Sequence, residues 1–570
     1  MLLASENMRR FWVIVLLAAL LCVPWLARPF HTRGEPREAL VAQAMLVTGN
    51  WISPPAYDGA VPSKPPFSHW LIALVSLPTG QVTEATARLP SALAVVIFSA
   101  AFFRFVVRRA SLQTATGASL ILLASSEWFR SASTCRVDTI LATSMAGALI
   151  SLYSWWERKY RGVPWLAIVL IACAALTKGP VGIVLPLALF SLFCWVQAGF
   201  SPKSLTPIAF RATVLCIPVL AIASIWYLLG YLERGEAFIE KIRYENFERF
   251  TSSMADEPHK HSLFYLLGML CIGLLPWSLC LLWPTWFGKI RGTLLAGNWD
   301  RSSCRRRAES ILSWWHTQGT LQQFAWIVGV GIVAFFCIPS SKRSVYLLPA
   351  YPFFALLLEQ VVRSIESRCG RLLELFSVIV IWCVVILLGA ALLLCCMPIA
   401  GIRLDAGALW QSMGFCKISS VVVLLIGLGW LLRDAIGDLF SKPIERLAIS
   451  LIVGVSLVSF FIYDGVAWQL SPKRWLANSN LQKALDSARQ NQPNLTLFSY
   501  GSEAYGASFY LNVPFRRATV NGLPSGSLVF LERGRLAEFQ AKVAPQVEEI
   551  MHYSSGLASP KRDTLVVRVP

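Results

Sequence analysis

Long apolar segments recur along the first four fifths of the sequence and constrain its fold more than any other feature. An α-helix needs about 20 mainly apolar residues to cross the hydrocarbon core of a bilayer. Segments that approach this length and character lie at residues 11–28, 85–107, 112–130, 138–156, 164–177, 180–197, 207–230, 263–287, 321–338, 344–363, 371–397, 418–432 and 446–464. The sequence therefore predicts an α-helical polytopic membrane protein with about 13 transmembrane helices.

The composition excludes the main alternatives to a membrane protein. Hydrophobic residues make up 55% of the 570 residues and charged residues only 15%. A soluble chain of this size needs more charge to cover its surface, so a soluble, fibrous or disordered protein is excluded. The net charge of +19 would suit nucleic acid, but basic residues that act as topology signals in cytoplasmic loops explain it more simply. We expect no nucleic-acid partner.

Basic residues in the loops predict the orientation of the chain in the membrane. If the first apolar segment is a retained helix and the N-terminus is cytoplasmic, the main clusters of Lys and Arg also fall on the cytoplasmic side. These clusters are Arg104, Arg108 and Arg109; Arg158, Lys159 and Arg161; the loop at 288–320; and Arg363, Arg368 and Arg371. An odd number of helices then places the C-terminus outside. The sequence thus predicts a multi-pass protein of the plasma (inner) membrane with an extracytoplasmic C-terminal domain.

Two further regions are predicted to lie on the outer side. Within the transmembrane domain at 1–469, residues 29–84 form a large first outer loop, whose apolar stretch at 66–77 is too short to span and is predicted to be an interfacial or re-entrant helix. Residues 470–570 are polar. Their patterns predict strands at 495–500, 508–513, 528–532 and 564–569 and helices at 478–490 and 534–543. We expect a small soluble α/β domain there.

The predicted outer face collects charged and polar residues, and its basic members run against the orientation signal. They are Glu35, Arg37, Glu38, Asp58, Lys64, His69, Arg136, Asp138, Lys178, Arg243, Asn246, Glu248, Arg249, His259, His261, Lys342, Arg343 and Tyr346. Several cations that converge near the membrane boundary suit an anionic ligand such as a lipid phosphate. A nearby acid, Glu35 or Asp138, is then a candidate base for a hydroxyl nucleophile.

Structural interpretations of the same residues stay open. Arg136 and Asp138 can form an ion pair at a helix start, and Lys178 can extend to the interface from the end of its helix. Arg37 and Glu38 can lie on a solvated helix face. The collection of these residues on one face, rather than any single residue, indicates a site.

Short motifs in a fixed order resemble those of a known family. They are Gly34-Glu35-Pro36-Arg37-Glu38, Gly49-Asn50-Trp51, Lys64-Pro65-Pro66, the ARLPSAL segment at 87–93, Arg136-Val137-Asp138, Thr177-Lys178-Gly179-Pro180, the block from Asn246 to Phe250 with His259, Tyr265 and Pro276-Trp277, and Lys342 with Tyr346-Leu347-Leu348-Pro349. The set resembles the membrane glycosyltransferases that include bacterial protein O-mannosyltransferase-like enzymes and the lipid A aminoarabinose transferase. The matches lie within residues 34–352, and the remaining sequence shares only the general plan.

The resemblance implies a fold of the GT-C type and a donor sugar carried on polyprenyl phosphate at the outer face. An acceptor hydroxyl or phosphate, on lipid A or another glycolipid, a glycan or a protein, attacks the anomeric carbon with inversion while the lipid phosphate leaves. Cations must stabilise the charge that develops on the phosphate. The donor-phosphate ligands that the resemblance implies are Arg37, Lys64, Arg136, Lys178, Arg249, Lys342 and Tyr346.

The resemblance also implies the remaining site residues. Glu35 is the implied base, with Asp138 orienting or replacing it, and Asn246 and His259 are further candidates. Two positions depart from the family pattern.

The acid that usually precedes Glu35 is Gly34 here, which puts the identity of the base in doubt. The residue before Lys64, often Glu or His in the family, is Ser63. Because the single His259 does not make a metal site, no firmly bound cofactor is predicted, although a divalent metal stays open.

Two other functions use the same electrostatics. A transporter or flippase would bind an anionic, lipid-linked substrate with these cations, but no two matching halves are recognisable in the sequence. A ligase would move a whole oligosaccharide from a lipid diphosphate. The large first loop and the outer soluble domain favour a transferase.

Overall fold

The computed structural model describes the chain in segments. They are residues 2–30, 32, 34–55, 64–244, 261–262, 264–282, 313–339, 341–368, 370–371, 445, 448–449, 452, 476–491, 496–500, 504–518, 523–553 and 564–570. These segments contain a large helical region, with a small mixed sheet near the C-terminus.

The helical region begins at the N-terminus and continues to residue 368. Its helices are α1 (Leu2–Cys22), α2 (Gly34–Thr48), α3 (Phe67–Ser76), α4 (Glu84–Val107), α5 (Leu112–Leu123), α6 (Ser126–Ala132), α7 (Val137–Glu157), α8 (Trp165–Lys178), α9 (Val181–Gln197), α10 (Leu205–Arg234), α11 (Glu236–Arg243), α12 (Tyr265–Gly273), α13 (Thr320–Cys337) and α14 (Ser344–Arg368), which opens with a 3₁₀ turn.

Six helical segments in the described part of the chain are long and apolar enough to cross a membrane. They are Glu6–Trp25, Glu84–Val107, Val137–Glu157, Pro202–Arg234, Thr320–Cys337 and Ser344–Arg368. Each corresponds to a predicted span. The predicted spans at 164–177 and 180–197 are apolar helices of fewer than 18 residues. The predicted spans at 371–397, 418–432 and most of 446–464 lie outside the described residues, so the total of 13 stays a prediction.

Two predicted spans are wrong as continuous helices. The segment 112–130 divides into α5 and α6, because Ser125 between them has an extended ψ of 128°. Its hydroxyl donates to the carbonyl oxygen of Ile121 at 2.7 Å and fixes the break. A Ser that bonds to the preceding turn in this way competes with continued helix. The segment 263–287 also breaks, since α12 ends at Gly273 and Pro276, which lacks an N–H donor, follows.

The centre of the helical region is α7. It packs against α4, α8, α9 and the start of α14. Tyr153 on α7 contacts the rings of Phe105, Phe193 and Phe324 at centroid separations of 5.6, 5.6 and 4.8 Å. In contrast, α10 exposes large apolar side chains along its length, as a helix that faces lipid does.

The first outer loop contains two helices that pack on each other and on α4. Between them lies a buried apolar cluster that includes Ala39, Met45, Ile72 and Ala73. The ten residues of α3 rise roughly 15 Å, about half the thickness of a bilayer core. The prediction that residues 66–77 form a short helix is confirmed, and its interfacial location stays a prediction.

The C-terminal domain contains a five-stranded sheet in the order β2-β1-β3-β5-β4. Its strands are β1 (Leu497–Tyr500), β2 (Phe515–Arg517), β3 (Leu528–Glu532), β4 (Glu548–Tyr553) and β5 (Thr564–Arg568), and its helices are α15 (Ser479–Asn491), α16 (Tyr505–Leu511) and α17 (Leu536–Lys542). The first three strands run parallel, and β5 pairs antiparallel with β3 and β4. The predicted α/β character of the C-terminal region is confirmed, while its exact boundary at 470 stays a prediction.

One predicted strand is wrong. Residues 508–513 are the end of α16 and the turn after it, in which Asn512 has a φ of 51° and terminates the helix. The aromatic residues Phe509 and Tyr510 gave the segment its strand-like pattern. They pack instead against Phe30 of the first outer loop, with ring centroids 4.9 and 6.3 Å away. The C-terminal domain therefore contacts the loop that carries Glu35, Arg37 and Lys64 of the predicted site.

Candidate active site

The carboxylate of Glu38 on α2 is buried in the first outer loop and contacts three basic side chains. Its Oε1 accepts hydrogen bonds from Arg37 Nη2 at 2.7 Å and from Lys64 Nζ at 2.5 Å. Its Oε2 lies 2.8 Å from Nε2 of His69 on α3. Only 4% of Glu38 is exposed, so three segments of the loop converge on one buried acid.

This arrangement follows from local packing. Because α2 and α3 pack face to face, a residue on the inner face of α2 meets the first turn of α3, where His69 lies. Lys64 precedes α3 by one turn and reaches the same carboxylate. The possibility of a solvated helix face is therefore wrong for Glu38, whereas the side chain of Arg37 is 40% exposed.

The charges in this cluster change the proton affinity of its members. Burial alone would raise the pKa of Glu38, but Lys64, Arg37 and the hydrogen bond with His69 together hold that pKa well below its ordinary value. Burial lowers the pKa of Lys64, and the charge of Glu38 opposes that shift. In the free site, Glu38 is thus an ionised carboxylate that neutralises two cations.

A second ion pair lies beside the first. The start of α7 and the end of α8 meet because consecutive helices run antiparallel, and there Lys178 Nζ donates to Asp138 Oδ1 at 2.5 Å. The same ammonium lies 4.2 Å from the ring centroid of Tyr346 on α14. Against the effect of burial, the charge of Asp138 also acts to raise the pKa of Lys64, so the two ion pairs interact electrostatically. Lys178 thus points into the protein rather than outward to the interface.

Gly179 allows α8 to end at this point. It has a φ of +79°, in the region that favours glycine, and the chain turns there into α9. Lys178 therefore occupies the last helical position of α8. A residue with a Cβ at position 179 would strain the turn that aims this lysine.

Arg136 immediately precedes α7. The sequence left open an ion pair between Arg136 and Asp138. That pair is not formed in the described structure, where Asp138 pairs with Lys178. No described carboxylate lies within ion-pair distance of Arg136. Its charge is thus available to an anion at the same end of the helices.

Glu35 has a different environment from the other predicted site residues. It is fully buried, and its Oε1 accepts from Arg88 Nε at 2.6 Å and from the backbone N–H of Cys135 at 3.1 Å. Its Oε2 accepts from the hydroxyl of Thr32 at 3.3 Å. Arg88 is itself 1% exposed and donates to the backbone carbonyls of Trp25 and Arg28. Because both oxygens are bonded within the protein, the geometry favours a structural role for Glu35.

The other predicted ligands fall into two groups. Lys342 is buried and donates to the carbonyl oxygens of Pro339 at 2.6 Å and His261 at 3.2 Å, so it holds neighbouring backbone segments. Asn246, Arg249 and His259 lie outside the described residues.

Three residues of the buried ion pairs were not predicted to be site residues. Glu38 and His69 were noted as polar loop residues, and Arg88 was noted only inside a motif. The signal for Arg88 is a single charge in an otherwise apolar helix. The signal for Glu38 and His69 is weaker, since their contact depends on how α2 and α3 pack. Among the described residues, no three His, Cys, Asp or Glu side chains come together as a metal site.

A large cavity lies among the helices that carry the charged residues. Its volume is about 960 Å³, and it lies between α3, α4, α7 and α8. Phe67 and Ile140, close in sequence to Lys64 and Asp138, line one end, and Arg104 and Arg108 line the other. The stretch of α4 that borders the cavity is roughly 27 Å long. Most of the lining is apolar, as a binding site for a hydrocarbon chain requires.

A helical membrane domain that joins buried cations, an apolar cavity and a soluble α/β domain fits a membrane protein that handles lipid-linked anions. Comparison with known proteins gives the class. The family model of dolichyl-phosphate-mannose-protein mannosyltransferases matches residues 63–226. An uncharacterised protein of Aquifex aeolicus is 27% identical over 65% of this chain and 68% of its own length. The undecaprenyl phosphate-alpha-4-amino-4-deoxy-L-arabinose arabinosyl transferase of Edwardsiella ictaluri is 26% identical over 79% of this chain and 75% of its own.

Solved structures agree on the fold. ArnT from Cupriavidus metallidurans in the apo state aligns with a TM-score of 0.66 at 20% identity, over 99% of this chain and 98% of that chain. The same protein bound to undecaprenyl phosphate aligns with a TM-score of 0.65 at 19% identity, over 98% and 97%. The chain therefore has the fold of ArnT, a fold of the GT-C type, and is similar in sequence to membrane glycosyltransferases.

Proposed function

We propose that this protein transfers a sugar from a polyprenyl-phosphate donor to a hydroxyl or phosphate group of an acceptor at the outer face of the membrane, with inversion at the anomeric carbon. The single observation that carries the proposal is the charged cluster among helices that also line an apolar cavity. Lys64 and Arg37 meet there on one side, and Lys178 lies on the other. The relatives whose names state a substrate use undecaprenyl phosphate as the sugar carrier.

The cluster has the composition of a lipid-phosphate site. Arg37 offers a planar fork of donors, and Lys64 and Lys178 offer compact charges. The apolar cavity that begins at Phe67 is suited to the first isoprene units of the carrier. A phosphate at the cations and a chain in the cavity would place the sugar toward the first outer loop.

The proposed reaction breaks the bond between the anomeric carbon and the phosphate oxygen. The bonding electron pair leaves with the phosphate, and the acceptor oxygen forms the new bond from the opposite face. Charge on the phosphate increases as it leaves, and fixed cations favour that change more than they favour the bound donor. The acceptor proton passes to an acid in the cluster, for which the structure offers Glu38 and Asp138 as ionised groups near the cations.

Other predicted residues have supporting roles in this proposal. Arg136 faces the same end of the helices and adds positive charge. Tyr346 flanks Lys178, and its hydroxyl is a candidate donor to the phosphate. Arg249, Asn246, His259 and Lys342 stay predictions as further site residues. The acceptor is lipid A or another glycolipid, a glycan or a protein, and the sugar is left to experiment.

The test is transfer by the purified protein in detergent or liposomes. A panel of radiolabelled polyprenyl-phosphate sugars, with one lipid-diphosphate oligosaccharide, is supplied together with a membrane extract as acceptor. Transfer from a monophosphate donor supports the proposal, and the labelled product identifies the acceptor. Transfer from the diphosphate alone would indicate an oligosaccharide ligase. Binding without transfer across the panel would favour a transporter and overturn the proposal.

A further inference from the structure

We propose that Glu38 is the base of this reaction and that the donor itself activates it, by displacing the Glu38 carboxylate from Lys64 and Arg37. This inference rests on the function proposed above. In the free protein, Glu38 occupies the position that the donor phosphate would take between these two cations. Once displaced, its Oε1 is free to accept the proton of the acceptor.

The first argument is competition for the same donors. Arg37 and Lys64 both bond to a single oxygen, Oε1 of Glu38, at 2.7 and 2.5 Å. A phosphate that binds the same two groups must take these hydrogen bonds from the carboxylate. The side chains of Arg37 and Lys64 are 40% and 23% exposed, while that of Glu38 is 6% exposed. A ligand can therefore reach the exposed parts of both cations and compete there for the hydrogen bonds that the carboxylate accepts.

The second argument is electrostatic. Among the described residues, the charged groups that face Glu38 are Arg37 on α2, Lys64 from the preceding loop and His69 on α3. The thiol of Cys135 lies close enough to interact with it, and the charge of Asp138 acts through Lys64. When a phosphate anion neutralises the two cations and adds negative charge a few ångströms away, the pKa of Glu38 must rise. A carboxylate that is a weak base in the free enzyme thus becomes a stronger base only in the donor complex.

The third argument is that Glu38 stays oriented after displacement. His69 is 3% exposed and holds Oε2, the oxygen that the cations do not use. Its other ring nitrogen, Nδ1, is buried and has no hydrogen-bond partner among the described residues. Because the carboxylate of Glu38 is ionised, Nε2 of His69 donates to its Oε2. His69 is accordingly a positioning residue, and Glu38 Oε1 is the reactive atom.

The proton step is balanced without any further reagent. The acceptor O–H bond breaks and its proton moves to Glu38 Oε1, while the acceptor oxygen bonds to the anomeric carbon. The bond from that carbon to the phosphate oxygen breaks, and its electron pair stays on the phosphate. When the lipid phosphate leaves, the cations return to Glu38 and its proton is released to solvent or to the departing phosphate.

Asp138 is the competing candidate, and the geometry separates the two acids. Asp138 is bonded to Lys178, whose ammonium also stacks on Tyr346. No described histidine supports its second oxygen. A donor phosphate at Lys64 and Arg37 therefore changes the surroundings of Glu38 more than those of Asp138.

The experiment compares the wild type with Glu38→Gln, Glu38→Asp, Asp138→Asn and His69→Asn, with the exposed Glu236→Gln as control. Two readouts are made on detergent-purified protein that elutes as a single folded peak. The first is binding of undecaprenyl phosphate alone, which needs no turnover. The second is steady-state sugar transfer as a function of pH, with the donor that the panel identifies.

Removing the competing charge should strengthen lipid-phosphate binding. We expect Glu38→Gln to bind undecaprenyl phosphate about tenfold more tightly, and kcat to fall by about 10²- to 10⁴-fold, as loss of a general base does. Glu38→Asp should fold as the wild type and keep part of kcat. His69→Asn should lower kcat by less than Glu38→Gln. Glu236→Gln should change neither readout.

The pH profiles give the sharpest test. Since kcat/KM reports the free enzyme and kcat the substrate complex, the acid limb of the wild-type kcat should lie at higher pH than that of kcat/KM. In Glu38→Gln the acid limb of kcat should disappear, while in Asp138→Asn it should persist. Weaker lipid-phosphate binding by Glu38→Gln, unchanged kcat, or coincident acid limbs in the wild type would each overturn the inference. If no donor is transferred by the wild type, the proposed function fails, whereas the binding comparison still tests the displacement of Glu38.

Discussion

Tyr510 of the C-terminal domain donates a hydrogen bond to Glu84 Oε1 at 3.2 Å, and Glu84 is the first residue of the membrane-spanning helix α4. The same hydroxyl oxygen accepts the backbone N–H of Phe30 at 2.9 Å. One side chain thus connects the soluble domain, the entrance to the first outer loop and the membrane domain. Burial and the charge of Glu84 raise the pKa of Tyr510, so its hydroxyl stays protonated and able to donate.

Replacing Tyr510 by Phe should loosen this connection. The ring and its packing on Phe30 remain, but two hydrogen bonds are lost, which should lower the free energy of unfolding by about 1–3 kcal/mol. Thermal unfolding in detergent should show the loss, and limited proteolysis should release the C-terminal domain sooner. The exposed Tyr231→Phe serves as the matched control. Equal protease resistance of the two variants would show that the contact does not hold the domain in place.

Replacing Glu35 by Gln should primarily destabilise the protein. The change leaves Arg88 buried without its counter-charge, and breaking a buried ion pair from one side costs about 3–5 kcal/mol. We expect a lower melting temperature and a lower yield of folded protein on size exclusion. The double change Glu35→Leu with Arg88→Met should recover part of the stability, because it leaves no unpaired charge.

The same variant also tests the role that the family resemblance implied for Glu35. If Glu35→Gln melts like the wild type but transfers no sugar, Glu35 is the base and the structural role assigned above is wrong. If it is unstable and the surviving folded fraction retains activity per molecule, the structural role is supported.

Replacing Lys64 by Ala should abolish transfer while the protein still folds. The cation that meets Glu38 and the proposed phosphate is removed, and loss of one such group typically lowers kcat by about 10²- to 10³-fold. The measurement is transfer by purified variant at saturating donor. Lys203→Ala, at an exposed position before α10, is the control for loss of a lysine in general. Near-normal activity of Lys64→Ala would remove this residue from the phosphate site.

The low pKa of Glu38 predicts an acid-sensitive contribution to stability. Since the folded pKa lies below the ordinary value of 4.5, the ionised carboxylate stabilises the fold fully at pH values above 4.5. This contribution is lost as the pH falls through the folded pKa. The wild type should therefore melt at a higher temperature than Glu38→Gln at neutral pH, and the difference should shrink below pH 4.5. A difference that is constant with pH would contradict the ionised state of Glu38.

The orientation of the chain can be tested with reporters. A reporter that is active only outside the cytoplasm should be active when fused after Pro570. The same reporter fused after Gly162, next to the basic loop at 158–161, should be silent, since that loop is predicted to be cytoplasmic. Activity at Gly162 with silence at Pro570 would invert the topology and move the charged cluster to the cytoplasmic face.

The helical plan of the membrane domain could be predicted because its signal is local. A run of apolar residues long enough to span a bilayer identifies α4 or α7 without knowledge of any neighbour. The break at Ser125 was missed because Trp128 and Phe129, beyond the polar Ser125-Ser126-Glu127, were joined to the preceding apolar run. The strand predicted at 508–513 failed for a different reason, since Phe509 and Tyr510 are apolar in order to pack on another domain.

The site was only partly predictable because its pairs are distant in sequence. Lys178 lies 40 residues from Asp138, and Arg88 lies 53 residues from Glu35. The sequence grouped Lys178, Asp138 and Glu35 on one face of the membrane, but it gave no basis for pairing them with each other or with Arg88. Glu38 was assigned to a solvated face beside Arg37, and only the packing of α3 on α2 buries it.

The internal ion cluster of Arg37, Lys64 and Glu38 has a consequence for selectivity among anions. A site that already contains its own counter-ion should bind chloride, sulfate or inorganic phosphate weakly. Each of these anions would have to displace a buried carboxylate by its charge alone. A phosphate attached to a prenyl chain is instead concentrated in the bilayer next to the cluster, and packing of that chain in the apolar cavity adds to the attraction between the charges. A phosphate without a prenyl chain therefore binds weakly to this cluster. Small anions in the surrounding solution leave the site unoccupied.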